Sequence, residues 1–284
     1  RIPMTGDIQE WVGRKRRVSD EMATPLVRRM AALTDRSDVA LDRGAPVPNH
    51  WLSILFDDAA PQSQLGPDGH PAKGDFLPPV PLPRRMLGGR RVTYHAAPRV
   101  GDTLERETEI AAITPKVGRS GAMIFVMLRH SITGPNGLVA VEEQDTVYLE
   151  AKRNAPMPVE KPIVTPNSAW REPWRPDQVV LFRFSALTFN GHRIHYDADY
   201  ARDVEGYPAL VVNGSVSTLF LFEALLRHAP GKQIRHYEAR TMQPVFCDRP
   251  AFLCGEAPDA EGRQALWVEA ADGAMAIRIV TKVG

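Results

Sequence analysis

The chain has 284 residues, a formal net charge of +1 and a hydrophobic fraction of 43%. This length allows one large domain or two of ordinary size, with enough apolar residues for a substantial core. The balanced charge gives no global case for nucleic-acid binding, and no apolar run of about 18 residues predicts a membrane span.

The two cysteines point to a reducing compartment. Cys247 and Cys254 are too few for a disulfide framework, and no metal-ligand spacing surrounds them. Residues 1–5 lack the apolar region of a signal peptide. We therefore expect a cytoplasmic protein without a metal site and without membrane association.

The first half predicts one helix followed by an antiparallel sheet. Thr24 can cap a helix, Pro25 suits its first turn, and apolar residues continue the pattern to Leu33. A Pro-rich stretch over 58–83 predicts a long irregular loop, a candidate roof for a substrate site. Alternating runs over 91–98, 102–113, 119–133 and 138–149 predict strands, with a hairpin turn at 135–137.

The second half repeats this organisation. A Pro-rich stretch over 156–176 predicts a linker between domains at 1–155 and 177–284. Residues 179–189 are predicted as an apolar strand, and the wide apolar stripe over 214–227 predicts a helix that ends at 230–231. Four more strands are predicted over 234–245, 251–257, 265–270 and 275–282. A long apolar helix beside a sheet predicts that the sheet wraps it.

The densest group of proton-handling residues follows the predicted strand 179–189. Asn190, His192 and His195 fall within six positions, and Gly191 loosens the backbone between them. Histidine can give or take a proton near neutral pH, whereas an Asn amide can orient water. We predict that His195 transfers the proton and that Asn190 orients the water. The alternatives are that Asn190 only forms a turn and that His192 is only a structural hydrogen bonder.

The segment 184–197, FSALTFNGHRIHYD, resembles the motif of the MaoC-like hydratases and dehydratases, and more narrowly the hydroxyacyl-thioester dehydratase type 2 family. Segments 200–201, 205–208 and 210–214 extend the similarity. Segments 116–121, 125–130 and 142–145 resemble the companion domain of two-domain bacterial members. The resemblance implies an α+β double hot dog, in which two antiparallel sheets each wrap a central helix and the second half contributes most of the active site.

Three positions of the motif and one before the central helix depart from the broader family, whose motif is Asp-x-Asn-Pro-x-His; His192 and Arg193 stand in the places of the Asn and the Pro. Asn190 stands in the place of the Asp, and Asn213–Gly214 stands where His-Gly is common before the central helix. The first departure removes the expected carboxylate base. We therefore expect His195 to carry more of the proton transfer than the broad pattern implies.

The resemblance implies a hydro-lyase that reversibly hydrates an enoyl-CoA. Bacterial members of this length include hydratases of five-carbon dicarboxylyl-CoA thioesters, such as itaconyl-CoA and mesaconyl-CoA (3-methylfumaryl-CoA). Coenzyme A would enter as part of the substrate, with no other cofactor. The alternatives are a 3-hydroxyacyl-ACP or -CoA dehydratase of fatty-acid metabolism, an acyl-CoA thioesterase, which would want a carboxylate where Asn190 stands, and a non-enzymatic binding module.

The other site residues follow from what hydration requires. Backbone N–H groups of Gly214 and Ser215, at the start of the predicted helix, can form an oxyanion hole for the enolate. A substrate carboxylate needs a cation, for which Arg193 is the first candidate. The predicted substrate-binding residues are Arg193, His192, Arg90 and Arg91. Exposed sheet edges invite pairing, so we expect a homodimer.

Overall fold

The computed structural model describes residues 8–57, 59–71, 75–82, 84–118, 121–150 and 165–284. Within these ranges, ten strands form one antiparallel sheet. The first half contributes β1 (Lys15–Glu21), β2 (Arg84–Tyr94), β3 (Thr103–Gly118), β4 (Gly121–Gly134) and β5 (Gly137–Leu149). The second half contributes β6 (Trp170–Trp174), β7 (Ile234–Thr241), β8 (Ala251–Gly255), β9 (Arg263–Glu269) and β10 (Met275–Val283). The predicted strands of both halves are thus confirmed, with shifted ends, apart from the run 179–189.

The two halves join edge to edge. The order across the sheet is β1-β3-β4-β5-β2-β7-β10-β9-β8-β6, and β2 pairs with β7 from Arg90 opposite Ala239 to Thr93 opposite His236. The sheets expected from the two halves are therefore one continuous sheet. One buried hydrophobic cluster also contains residues of both halves, among them Trp51. The division into domains at 1–155 and 177–284 stays a prediction.

The helices are α1 (Thr24–Leu33), α2 (Gln178–Leu187), α3 (Ala198–Asp203) and α4 (Gly214–His228). The predicted α4 is confirmed and lies against β7–β10 and against a 3₁₀ turn of the first half, Asn49–Ile54. In the described part of the first half the only α-helix is α1, which packs against α2. The predicted Thr24 cap is wrong, because the cap position is Ala23 and no side chain caps this helix. None of the helices in the described ranges combines the length and apolarity that a bilayer crossing needs.

The strand predicted over 179–189 is wrong, because these residues form α2. The Asp177 side chain accepts a hydrogen bond from the Val180 N–H at 2.8 Å, which caps the helix start. Leu181 and Phe184 face the core. A short apolar run cannot be assigned to strand or helix from periodicity alone, and the cap decides it.

The predicted linker over 156–176 is only partly described. Residues 151–164 lie outside the described ranges, while Trp170–Trp174 form β6, which pairs with β8 at the edge of the sheet. This part of the linker prediction is wrong, because residues 170–174 belong to the sheet. Their proline is compatible with a strand at the edge of a sheet. Pro173 sits opposite Phe252 in this edge ladder.

Candidate active site

His195 is held by the chain segment that leads into α4. It ends a 3₁₀ turn, Arg193–His195, and its side chain is buried. Its Nδ1 lies 2.7 Å from the Val211 carbonyl oxygen. Because a carbonyl oxygen can only accept, Nδ1 carries the proton, and Nε2 of the neutral ring keeps a free lone pair. His195 is therefore oriented as a proton acceptor at Nε2.

The surroundings favour the neutral form of this ring. Burial is the largest influence and lowers the pKa of His195; the hydrogen bond to Val211 opposes this shift, and the nearby His70 adds to it. Burial, reinforced by repulsion from His70 and His195, also lowers the pKa of His192 to about 4. Both motif histidines are consequently neutral at neutral pH, which a general base requires.

The start of α4 is tied to the same segment. The Val211 N–H donates to the Ile194 carbonyl at 3.0 Å, so hydrogen bonds with Ile194 and His195 hold the segment just ahead of the helix. A Cβ built on Gly214 would meet nothing within 4 Å, so open space lies in front of the first turn. The Ser215 N–H, in contrast, donates to Asn213 Oδ1 at 2.8 Å. Of the two predicted oxyanion donors, Gly214 faces open space and the N–H of Ser215 is already engaged.

Asn190 closes the turn that follows α2. Its N–H donates to the Ser185 carbonyl, and its Oδ1 accepts from the His192 N–H, both at 2.9 Å. This is the turn role that the Asn-Gly pair indicates. Because the backbone uses the amide oxygen, the amino group is the part of the side chain better placed to bind water.

A loop of the first half lies on the motif. Leu65 and Pro71 close this loop through a backbone bridge, and the Arg193 N–H donates to the Asp68 carbonyl at 2.8 Å. A Cβ on Gly69, whose φ is +85°, would lie 1.9 Å from the Gly191 carbonyl oxygen. Only glycine allows so close an approach of the two backbones. We call residues 65–71 the covering loop.

The covering loop brings three metal-competent side chains together. Among the described residues, Asp68, His70 and His192 form the group whose ligand atoms could hold a metal ion, and these atoms lie within 4.8 Å of one another. The rings of His70 and His192 stack at 3.9 Å between centroids. Sequence reasoning missed this cluster, because its members are distant in the chain and no local spacing signals their contact.

The predicted arginines differ sharply in their surroundings. Arg193 forms an ion pair with Asp197 at 2.7 Å, and its guanidinium lies 4.0 Å from the ring centroid of Tyr200. Arg91 pairs with Glu143 at 3.2 Å and Asp145 at 2.9 Å. Both guanidinium groups are thus already paired with carboxylates, and the substrate-binding role of Arg193 and Arg91 stays a prediction. Neighbouring residues of a strand point to opposite faces, so Arg90 lies on the other face from Arg91.

Arg90 faces a small cavity at the first turn of α4. The cavity is lined by His50, Ser53, Arg90, Ser215, Thr218, Leu219, Phe222 and Tyr237. Arg90 Nε lies 2.9 Å from the Glu142 carboxylate, and the arginine side chain is 27% exposed. Attraction to Glu142 raises the pKa of Arg90. A permanent cation thus lines the same cavity as Ser215, the neighbour of Gly214.

A sheet packed on a long helix, with a buried histidine held by the segment that leads into that helix, fits the class of hot-dog hydratases and dehydratases of acyl thioesters. The chain belongs to the hydroxyacyl-thioester dehydratase type 2 family, whose sequence model matches residues 49–247. It is 40% identical over 282 residues to the mesaconyl-C(4)-CoA hydratase of Chloroflexus aurantiacus, and the match covers 99% of each chain.

Solved structures share the fold at low sequence identity. A MaoC-like dehydratase from Phytophthora capsici superposes with a TM-score of 0.70 at 14% identity over 96% of each chain. A Mycobacterium tuberculosis protein described as a double hot dog fold gives a TM-score of 0.59 at 15% identity, again over 96% of each chain. The comparisons confirm the predicted family, the α+β double hot dog and the assignment as a hydratase or dehydratase.

Proposed function

We propose that the protein reversibly hydrates an enoyl-CoA whose acyl group is a five-carbon dicarboxylate of the mesaconyl type. The observation that carries the proposal is the buried His195, whose Nδ1 is held by the Val211 carbonyl in the segment that leads into α4, so that the Nε2 lone pair is available. The similarity to a mesaconyl-C(4)-CoA hydratase supports the substrate class. No prosthetic group takes part, because acid–base groups and backbone donors suffice for this chemistry.

In the hydration direction, His195 Nε2 takes a proton from water as the water oxygen bonds to the β-carbon of the thioester. The π electrons move to the thioester oxygen, which becomes an enolate. The Gly214 N–H and the dipole of α4 stabilise this negative charge. A proton then bonds to the α-carbon, so that one H and one OH have been added. The amino group of Asn190 orients the water.

Arg90 is a better candidate than Arg193 or Arg91 for binding the distal carboxylate of the substrate. All three arginines are paired with carboxylates, but of the three only Arg90 lines the cavity that reaches Ser215. An acyl chain whose thioester oxygen lies at the start of α4 would direct its far end toward this cation. A charge-assisted hydrogen bond of this kind contributes about 1.5–3 kcal/mol.

The protein would work in the cytoplasm as a homodimer with acyl-CoA as its ligand. The outer strands of the described sheet, β1 and β6, provide two edges, and an unpaired edge is a template for pairing with a second copy. Hydration of an acyl-CoA needs neither a nucleic acid nor a membrane as a partner.

The test compares mesaconyl-C4-CoA with crotonyl-CoA, which lacks the carboxylate. We expect His195→Ala to lower kcat for both substrates by about 10²–10⁴-fold. Arg90→Gln should lower kcat/KM for the dicarboxylyl substrate alone, by about 10–100-fold. The exposed His95 provides the control variant His95→Ala, which should behave as the unchanged protein. Full activity of His195→Ala refutes the mechanism, and turnover of crotonyl-CoA alone refutes the substrate class.

A further inference from the structure

Hydration requires a proton for the α-carbon, and the motif offers no evident second acid. Asn190 has no proton that it can transfer at neutral pH. His192 is neutral, because burial lowers its pKa to about 4. His195 becomes protonated only by taking the proton from water. A separate acid beside these residues would therefore complete the site.

The covering loop carries an Asp–His pair to this place. Asp68 Oδ2 lies 3.3 Å from His70 Nδ1, and Asp68 Oδ1 accepts from the His70 N–H at 3.0 Å. Partial burial raises the pKa of Asp68, but the hydrogen bonds and charge of His70 outweigh it and lower the pKa. Since a carboxylate only accepts, His70 carries a proton on Nδ1 and presents Nε2 for proton transfer.

The loop places His70 in contact with the motif. The His70 ring stacks on His192 at 3.9 Å, and the His192 ring meets His195 edge-on at 5.2 Å between centroids. The His70 side chain is 45% exposed, so it is accessible to a substrate that enters over the motif. Asp68 on the loop and His192, His195 and Arg193 on the motif are the charged and titratable groups around it.

We propose that His70, oriented by Asp68, is a second catalytic residue that gives the proton to the α-carbon. This inference rests on the proposed function. His195 Nε2 takes a proton from water while the water oxygen bonds to the β-carbon and the π electrons form the enolate. The enolate then takes the Nε2 proton of protonated His70 at its α-carbon. His195 is left protonated and His70 neutral, and exchange with solvent restores both.

The experiment measures kcat, KM and their pH profiles for His70→Gln and Asp68→Asn, with His95→Gln as the control. We expect His70→Gln to lower kcat by about 10²-fold or more, with a smaller loss for Asp68→Asn. The alkaline limb of the kcat profile, which reports the essential acid, should disappear in His70→Gln. Imidazole added to His70→Ala should restore part of the rate, because it can occupy the exposed site of the missing ring.

Two results would overturn the inference. An unchanged kcat in His70→Gln means that His195 delivers both protons. A lowered kcat with an unchanged pH profile and no rescue by imidazole means that His70 only supports the fold of the loop. In that case both His70→Gln and His70→Ala would also lose thermal stability. The parent proposal fails separately, since it requires that His195→Ala be inactive whatever His70→Gln does.

Discussion

In the proposed mechanism His195 is the base, and its surroundings set its pKa. The ring must be neutral to accept a proton from water, and activity is lost as falling pH protonates it. Burial lowers the pKa of His195 from its ordinary value of 6.5. A lowered pKa moves the loss of activity to lower pH, so the neutral ring is available across the physiological range.

We therefore expect the acidic limb of the kcat/KM profile to have its midpoint below 6.5. In His70→Gln this midpoint should rise toward the ordinary value, because the charge of His70 is one of the influences that lower the pKa of His195. Initial rates at subsaturating substrate over a pH series give both midpoints. A midpoint above 6.5 in the unchanged protein would contradict the orientation and burial assigned to His195.

His195 and Asn190 could be predicted as site residues from the sequence, because both lie in one short motif. The arginines show where this reasoning stops. The spacing of Arg193 and Asp197 is that of an i,i+4 ion pair, so the partner of this candidate could have been predicted from the sequence. Arg90 was among the predicted candidates, but the cavity that it shares with Ser215 and the contact of His70 with His192 could not be predicted, because each brings together residues of different halves.

At the scale of elements, the covering loop is the part of the first half that shapes the site. The Asp68 carbonyl of this loop accepts a hydrogen bond from the Arg193 N–H, and the Gly69 backbone lies close to the Gly191 carbonyl. Displacing the loop would therefore move the motif as well as His70. A shift of about 1 Å in reacting groups can cost about 10²-fold in rate.

This predicts a strong effect of Gly69→Ala. The added Cβ would lie 1.9 Å from the Gly191 carbonyl oxygen, so one of the two backbones must move. Gly44 is a matched control, since its φ of +88° is nearly the same and a Cβ there meets nothing within 4 Å. Both variants should lose about 1 kcal/mol or more of stability from the left-handed backbone, but only Gly69→Ala should lose about 10²-fold in kcat/KM.

Thermal melting and steady-state rates of the two glycine variants separate strain from contact. Equal losses of activity in Gly69→Ala and Gly44→Ala would show that the covering loop does not position the motif.

The wrong prediction of α2 as a strand shows where sequence analysis fails at the scale of an element. Its residues are apolar enough for either structure. The signal for a helix in the sequence was Asp177, a preferred cap residue, which accepts the Val180 N–H in the structure.

At the scale of the whole molecule, the two halves are held together through the sheet and through α4. Eight of the ten described strands could be predicted from alternation, whereas β1 and β6 were not predicted. The β2–β7 pairing could not be predicted, because nothing local specifies which edges meet. A buried charge makes a second connection. Glu223 of α4 contacts His50 Nε2 at 2.7 Å, Trp51 Nε1 at 2.8 Å and Arg36 Nη1 at 3.0 Å, all from the first half.

This connection predicts acid sensitivity of the fold. Burial raises the pKa of Glu223, but its hydrogen bonds from His50, Trp51 and Arg36 outweigh burial and lower the pKa from 4.5 to about 2. A carboxyl group with a lowered pKa stabilises the fold above its unfolded pKa, and this contribution is lost as pH falls from about 4.5 toward 2. The difference between these two pKa values corresponds to about 3 kcal/mol in the free energy of unfolding.

Urea unfolding over a pH series should therefore show a steep loss of stability below pH 4.5 that is much reduced in Glu223→Gln. Glu223→Ala should cost about 3–5 kcal/mol near neutral pH, because it leaves buried partners without their charge. Asp38→Asn removes the exposed partner of the same Arg36 and should cost less than about 1 kcal/mol. If Glu223→Gln retained the full acid transition, other carboxylates would carry it, and Glu223 would not be the charge that couples the halves.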